Sequence, residues 1–246
     1  MRAAIRAEWT KLRTVAGPVW LLVGVIASTM ALGAAVANSV TCTIVGCAAD
    51  AAKSSLTGVQ LGQAVVAVLA VLVIGDEYST GMIRTTLAAT PQRSVVLAAK
   101  AVVLTGPVLV AGTLAISGSL VAGSRLLALS LTDASTLRAA VGSVLYLALV
   151  ALLALGIAAA VRDSAVAVGI TLGLLYLFPL LASTVANPQW HRHLLQISPS
   201  NAGLAVQATV GLDGLPIGGW AGLGVLELWA AAALLVGGVL LWTRDA

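Results

Sequence analysis

Charge is what this sequence has least of. Asp, Glu, Lys and Arg make up 9% of its 246 residues, against roughly 25% in soluble domains. A chain so short of charge cannot clothe a globular surface in polar groups, which excludes the water-soluble classes. Lysine occurs three times, as Lys11, Lys53 and Lys100. These follow Thr10, Ala52 and Ala99, so none completes the G-x-x-x-x-G-K-[ST] loop whose backbone amides and lysine cradle phosphates. If this chain uses ATP, the nucleotide sits on another polypeptide. No internal repeat is visible, and the short alternating segments of a β-barrel are missing. Histidine is confined to His191 and His193. Two residues apart, they share a face only on a strand, and with no third ligand nearby they do not describe a metal site. The opening MRAAIRAEWTKLRTVAG lacks a short apolar core with a small-residue cleavage site, so no cleaved signal peptide is expected.

What fills the chain instead is apolar: 60% of residues are hydrophobic and the mean hydropathy is +1.05. Several runs reach the roughly 20 residues that cross a bilayer. The expectation is an all-α polytopic membrane protein forming one transmembrane domain over 1–246. An N-terminal interfacial helix covers about 2–15, and spans cover about 18–37, 57–75, 101–122, 138–161, 164–186 and 220–242. In the first helix Ile5, Trp9, Leu12 and Ala16 recur on one face, with Arg6, Lys11 and Arg13 off it. That pattern suits a helix lying among membrane lipids with its cations near anionic headgroups. The plainer alternative is a basic flank that orients the first span; Trp at that depth favours the helix.

Six spans put both ends of the chain on one side. Nine Lys and Arg then fall on that side, including Arg84, Arg93 and Lys100, and four on the other. The positive-inside rule assigns both termini and the segment 76–100 to the cytoplasm of a multi-pass plasma-membrane protein. The placement of charge reads as topology, not as a nucleic-acid patch. It also exposes Cys42 and Cys47 to the outside, where a disulfide can persist; whether they pair is open without distances.

The polar interruption Asp76–Lys100 is the most informative stretch. Thr90-Pro91 reads as an N-cap followed by Pro at the first helical position, dividing a short helix near 81–88 from one that runs into the third span. On that short helix Ile83 and Leu87 lie at i and i+4 beside Met82 and Thr86, with Arg84 elsewhere. Apolar knobs with one cation suit insertion into a partner's groove; a solvated loop against the chain's own span ends is the alternative. Asp76 and Glu77 are expected to pair with Arg84 or an N-terminal Arg rather than to act as an acid/base pair.

The residues Glu77-Tyr78-Ser79-Thr80-Gly81, Ile83-Arg84-Thr85-Thr86-Leu87, Thr90-Pro91 and Leu97-Ala98-Ala99-Lys100 closely resemble the cytoplasmic loop of bacterial ABC-2 type transporter permeases. Glu8-Trp9-Thr10-Lys11-Leu12-Arg13-Thr14 and the stretch Leu195–Gly203 resemble the same family more weakly. The six-span layout extends the likeness over essentially the whole chain. The resemblance implies half of a type V-like exporter. It would have an interfacial helix, a cytoplasmic coupling helix between spans two and three, and short re-entrant helices before span six near an outer gate. It implies a homodimer or heterodimer of permeases with two separate ABC ATPase subunits, which bind the ATP and Mg. Met82, Ile83, Arg84, Thr86 and Leu87 would contact that ATPase, and Ile83→Asp would block co-purification while leaving the fold intact. No catalysis is expected on this chain. The cargo would be hydrophobic or amphipathic: a drug, antibiotic, peptide or lipid.

Glu227 stands inside the last span, where a carboxylate is costly and usually faces protein or water. With Ser200 and Asn201 it is a candidate for the substrate path or gate. The favoured reading is structural: a carboxylate bonded to a neighbouring helix, or protonated. Pro199, with Ser198 as cap, suits a short helix just before. Gly112, Gly118 and Pro107 inside span three suit close packing more than bending. Two other functions are weighed. An intramembrane protease could be imagined at Ser117-Gly118, but a nucleophile needs a base in reach, and the histidines lie in the outer connection. An ion-coupled secondary transporter usually wants mid-membrane ionisable groups and an internal repeat; Glu227 alone is thin support.

Overall fold

A computed structural model describes residues 2–39, 50–89, 92–127 and 129–243, without the side chains of 84 and 87–89. Cys42, Cys47, Thr90 and Pro91 lie outside the described residues. Among those described there is no strand. Six helical segments are long and apolar enough to cross a membrane: Ala16–Ser39, Ala51–Ser79, Arg93–Leu126, Ala134–Val161, Ser164–Ser183 and Gly219–Thr243.

The chain begins with α1 (Arg2–Thr14) and turns at Val15 into α2 (Ala16–Ser39), the first span. The second is α3 (Ala51–Leu56) running into α4 (Val59–Ser79), and a short helix, α5 (Met82–Ala89), follows. Gly81 makes the turn between α4 and α5 at φ 72°, a conformation cheap only without a Cβ. The third span is α6 (Arg93–Leu126), which starts eight residues earlier than the apolar run and stays unbroken through Pro107. Neighbouring helices allow such a proline in a membrane helix. Gly118 lies against Met30 of α2, as close packing requires.

The fourth span, α7 (Ala134–Val161), is the central post. It packs against α4, α6, the fifth span and the last span, and Tyr146, Leu147, Val150, Leu153 and Ala154 are all buried. The fifth comprises α8 (Ser164–Leu172), a π-turn at Gly173–Leu177 and α9 (Phe178–Ser183). The turn between α7 and α8 is made by two residues with opposite jobs. Arg162 ends α7 in the left-handed region, at φ 64°. Asp163 caps α8 by accepting from the Val166 amide at 2.8 Å.

Before the last span come α10 (Pro188–Ile197) and α11 (Pro199–Leu204). Asn187 caps α10 by accepting from the amides of Gln189 and Trp190. Ser198 does occupy the N-cap position of α11, but its hydroxyl makes no capping bond and is buried without a partner among the described residues. The sixth span is α12 (Gly219–Thr243). Its contact with α7 depends on two glycines. A Cβ on Gly156 would come within 2.5 Å of the Ala233 carbonyl carbon, and one on Gly237 within 2.7 Å of the Gly156 oxygen. Small residues let membrane helices approach closely where lipid supplies no hydrophobic drive. The outer faces of α2 and α12 carry exposed Trp20, Leu228, Leu235 and Val239, as lipid-facing positions would.

Candidate functional site: a buried ion cluster beneath α5

Three helices each place a charge on their own apolar stripe. Glu8 precedes Leu12 by one turn on α1, Glu77 follows Ile74 on α4, and Lys100 lies between Leu97 and Leu104 on α6; all seven residues are buried. Packing these stripes together brings the charges into one cluster with Lys11. Lys100 Nζ is 2.8 Å from Glu8 Oε2 and 2.7 Å from Glu77 Oε1, and it reaches the Val73 carbonyl at 3.4 Å. Lys11 Nζ is 3.2 Å from Glu8 Oε1 and 2.7 Å from Glu77 Oε1, and it donates to the Thr86 hydroxyl at 3.3 Å. An ammonium has three donors, so each lysine spends all of them.

Two carboxylates and two ammoniums make the cluster neutral. Neutrality is what makes its burial tolerable, since an unpaired ion in a dry interior costs several kcal/mol. Burial alone would lower the Lys11 pKa, but the Glu77 hydrogen bond and the charges of Glu8 and Glu77 outweigh it and hold the ammonium above its ordinary range. Lys100 lies seven residues into α6, about 10 Å from its start at 1.5 Å per residue, so the cluster sits at one end of the bundle and not at its middle.

The short helix α5 rests on this cluster. Thr86 takes the Lys11 bond, and Ile83 is 4% exposed. The side it presents outward carries Met82, 46% exposed, and Thr85. Ile83 is therefore a core residue of this chain and not a knob offered to a partner, so Ile83→Asp would damage the fold directly. The side chains of Arg84 and Leu87 lie outside the described residues. The same end is tied further by Arg93, which donates to the Leu241 carbonyl at the end of α12. Arg162 donates to the Leu240 carbonyl at 3.2 Å and lies 5.5 Å above the Tyr78 ring.

Several expectations are corrected by this geometry. Among the described residues Glu77 pairs with Lys11 and Lys100 and with no arginine, and Asp76 is exposed and makes no ion pair; the expected partner Arg84 has its side chain outside them. Lys100 is a buried member of the third span, not a loop cation. On α1 the inward face carries Glu8 and Leu12, with Ile5 half-buried and Trp9 43% exposed. The face expected to lie in lipid is thus split, because the ion cluster rotates Leu12 toward the bundle. The sequence does carry one trace: three charged residues each in register with an apolar helical stripe mark charges that face inward, without saying which of them meet.

The proposed gate residues differ in burial. Ser200 is buried in α11 and Asn201 half-buried, whereas Glu227 is exposed on α12 and forms no hydrogen bond or ion pair among the described residues. Of the two forms of the structural reading, the bond to a neighbouring helix is absent among the described residues, and protonation is untouched by this geometry. His191 Nδ1 contacts the Ala182 carbonyl at 3.0 Å, and His193 is exposed. Comparison with protein-family models finds no match to this chain, and comparison with curated proteins finds none either.

Proposed function

We propose that the chain is the transmembrane subunit of an ATP-driven exporter, worked through α5 by separate ATPase subunits. The observation that carries this reading is the Lys11–Thr86 contact above the ion cluster. A push on α5 reaches α1, α4 and α6 together, because Glu8, Glu77 and Lys100 join them through charge rather than soft apolar contact. Buried ion pairs are a poor source of net stability but hold a geometry closely, which suits a joint that must transmit displacement. The basic excess at this end supports a cytoplasmic position for α5, and the resemblance of its sequence to ABC-2 type permeases supports the same role. The cargo is hydrophobic or amphipathic, and two copies or two related chains form the path. Ser200, Asn201 and Glu227 are retained as residues of that path on the opposite end. An ion-coupled carrier is less well supported, since the buried charges are neutralised and lie at one end, away from the midplane.

The test pairs the purified chain with a co-expressed Walker-motif ATPase in proteoliposomes. Met82→Asp and Thr85→Asp change exposed positions of α5, so the fold is expected to survive. ATPase stimulation and co-purification are both expected to fall at least tenfold. Export by the chain alone, or labelling of a Thr85→Cys variant only from outside the cell, would overturn the proposal.

A further inference from the structure

Beside the ion cluster lies a cavity of about 330 Å³ lined by α1, the start of α2, the end of α4, α6 and Met82 of α5. Its volume is in the range of small-molecule sites. Most of the wall is apolar, from Leu12, Pro18, Leu21, Leu72 and Val103. Exposed Val15, Asp76 and Met82 stand at its mouth. The charged part of the wall is Glu8, Lys11, Asp76, Glu77 and Lys100, with the Thr14 hydroxyl as a further polar group.

The hydrogen-bond balance of that polar wall is one-sided. Both lysines have committed all three donors, to Glu8, Glu77, Thr86 and the Val73 carbonyl. Acceptors are left over. Glu77 is 4% exposed, yet its Oε2 is buried with no partner among the described residues. The Asp76 carboxylate makes no hydrogen bond or ion pair there either. Counting these five side chains gives three carboxylates against two ammoniums. A buried acceptor left unsatisfied costs about 1–3 kcal/mol, so a ligand supplying N–H donors and positive charge gains twice, and one supplying more acceptors loses.

We propose that this cavity binds an amphiphile carrying a protonated primary amine, its ammonium between Asp76 and Glu77 and its alkyl part against Leu12, Leu21 and Val103. The chemistry is shared by an aminophospholipid of the surrounding leaflet and by a free amphiphilic amine arriving from solution. Binding here does not depend on the transport reading, since it needs neither an ATPase nor movement.

The experiment titrates dodecylamine into the full chain held in phosphatidylcholine nanodiscs, with empty nanodiscs subtracted. Saturable binding at one site per chain is expected. Dodecanol and dodecyl sulfate are expected at least tenfold weaker. Dodecyltrimethylammonium, which keeps the charge but has no N–H donor, should also be weaker. Asp76→Asn, at an exposed position, should weaken dodecylamine about tenfold, and Val15→Trp should block the mouth. Dodecylamine displaced by phosphatidylethanolamine in the disc would identify the lipid as the source; dodecylamine undisturbed by it would identify a free amine. Equal binding of dodecanol and dodecylamine would overturn the proposal, as would unchanged affinity in both variants.

Discussion

The two ends of this helical bundle are both closed by polar contacts, but with different chemistry. At the end carrying α5, the joint is ion on ion: Glu8, Lys11, Glu77 and Lys100 from three helices. At the opposite end, side chains bond mostly to backbone. Asp50 caps α3 through the Lys53 amide at 3.0 Å and accepts from the Thr209 hydroxyl at 2.7 Å and the Val210 amide at 3.1 Å. Arg138 donates to the Ala208 carbonyl at 2.6 Å, and Gln207 to Ser143 at 3.0 Å. A carboxylate held by backbone amides fixes one loop in one place. A cluster of mutually neutralising charges ties separate helices to each other and fails as a unit when one member is lost. The contrast teaches where helices are joined to one another and where a loop is fixed to the bundle.

The sharpest way to break the comparison is Lys100→Met. It leaves Glu8 and Glu77 buried with only Lys11 between them, and removing one partner of a buried pair typically costs about 3–5 kcal/mol. A large fall in thermal midpoint in detergent is expected, read by tryptophan fluorescence. Replacing Glu8 and Lys100 together by Gln and Met should recover much of that loss, because Lys11 and Glu77 then remain as a neutral pair. If the single substitution is silent, the cluster is not the joint described.

A smaller effect is expected at the other end. Asp50→Ala removes a helix cap, a change worth about 0.5–2 kcal/mol, together with its bonds to Thr209 and Val210. Limited proteolysis near Thr209 should quicken while α1 and α5 stay protected. Equal loosening of both ends would erase the distinction.

pH separates the ends with the least disturbance. Burial tends to raise the Asp50 pKa, but bonds from Thr209, Lys53 and Val210 outweigh it and hold it below the usual 3.8. Its contribution is therefore complete above 3.8 and lost as pH falls through the lowered value. Lys11 lies above its usual 10.5, so its contribution is complete below 10.5 and lost as pH rises through the raised value. Unfolding should thus sharpen at the acid extreme through the Asp50 end and at the alkaline extreme through the cluster. Asp50→Asn should flatten only the first slope and Lys11→Met only the second. Both variants flattening the same limb would contradict the assignment.

Much of the fold was legible in order along the chain. Four of the six spans lie within a few residues of the apolar runs, the second and third begin six and eight residues early, and α5 falls where Met82, Ile83 and Thr86 cluster. The misses share a cause. Lys100 reads as a loop cation because its neighbours Arg93 and Arg84 are polar, and nothing local announces that Glu8 waits 92 positions away. Ile83 reads as a partner's knob because periodicity finds an apolar face without saying what covers it. Glu227 reads as bonded to a neighbouring helix or protonated, and packing leaves it exposed.

Composition and local pattern alone were enough to decide that the chain is helical, crosses a membrane and carries a short amphipathic helix between its second and third spans. Bilayer burial demands long apolar runs whose hydrogen bonds are internal, and those runs are written residue after residue. Only the packed bundle decided which charges meet. The bonds Glu8–Lys100, Lys11–Glu77 and Asp50–Thr209 join residues separated by 92, 66 and 159 positions. Contacts at such separations depend on how whole helices rotate and stack, which no local pattern encodes.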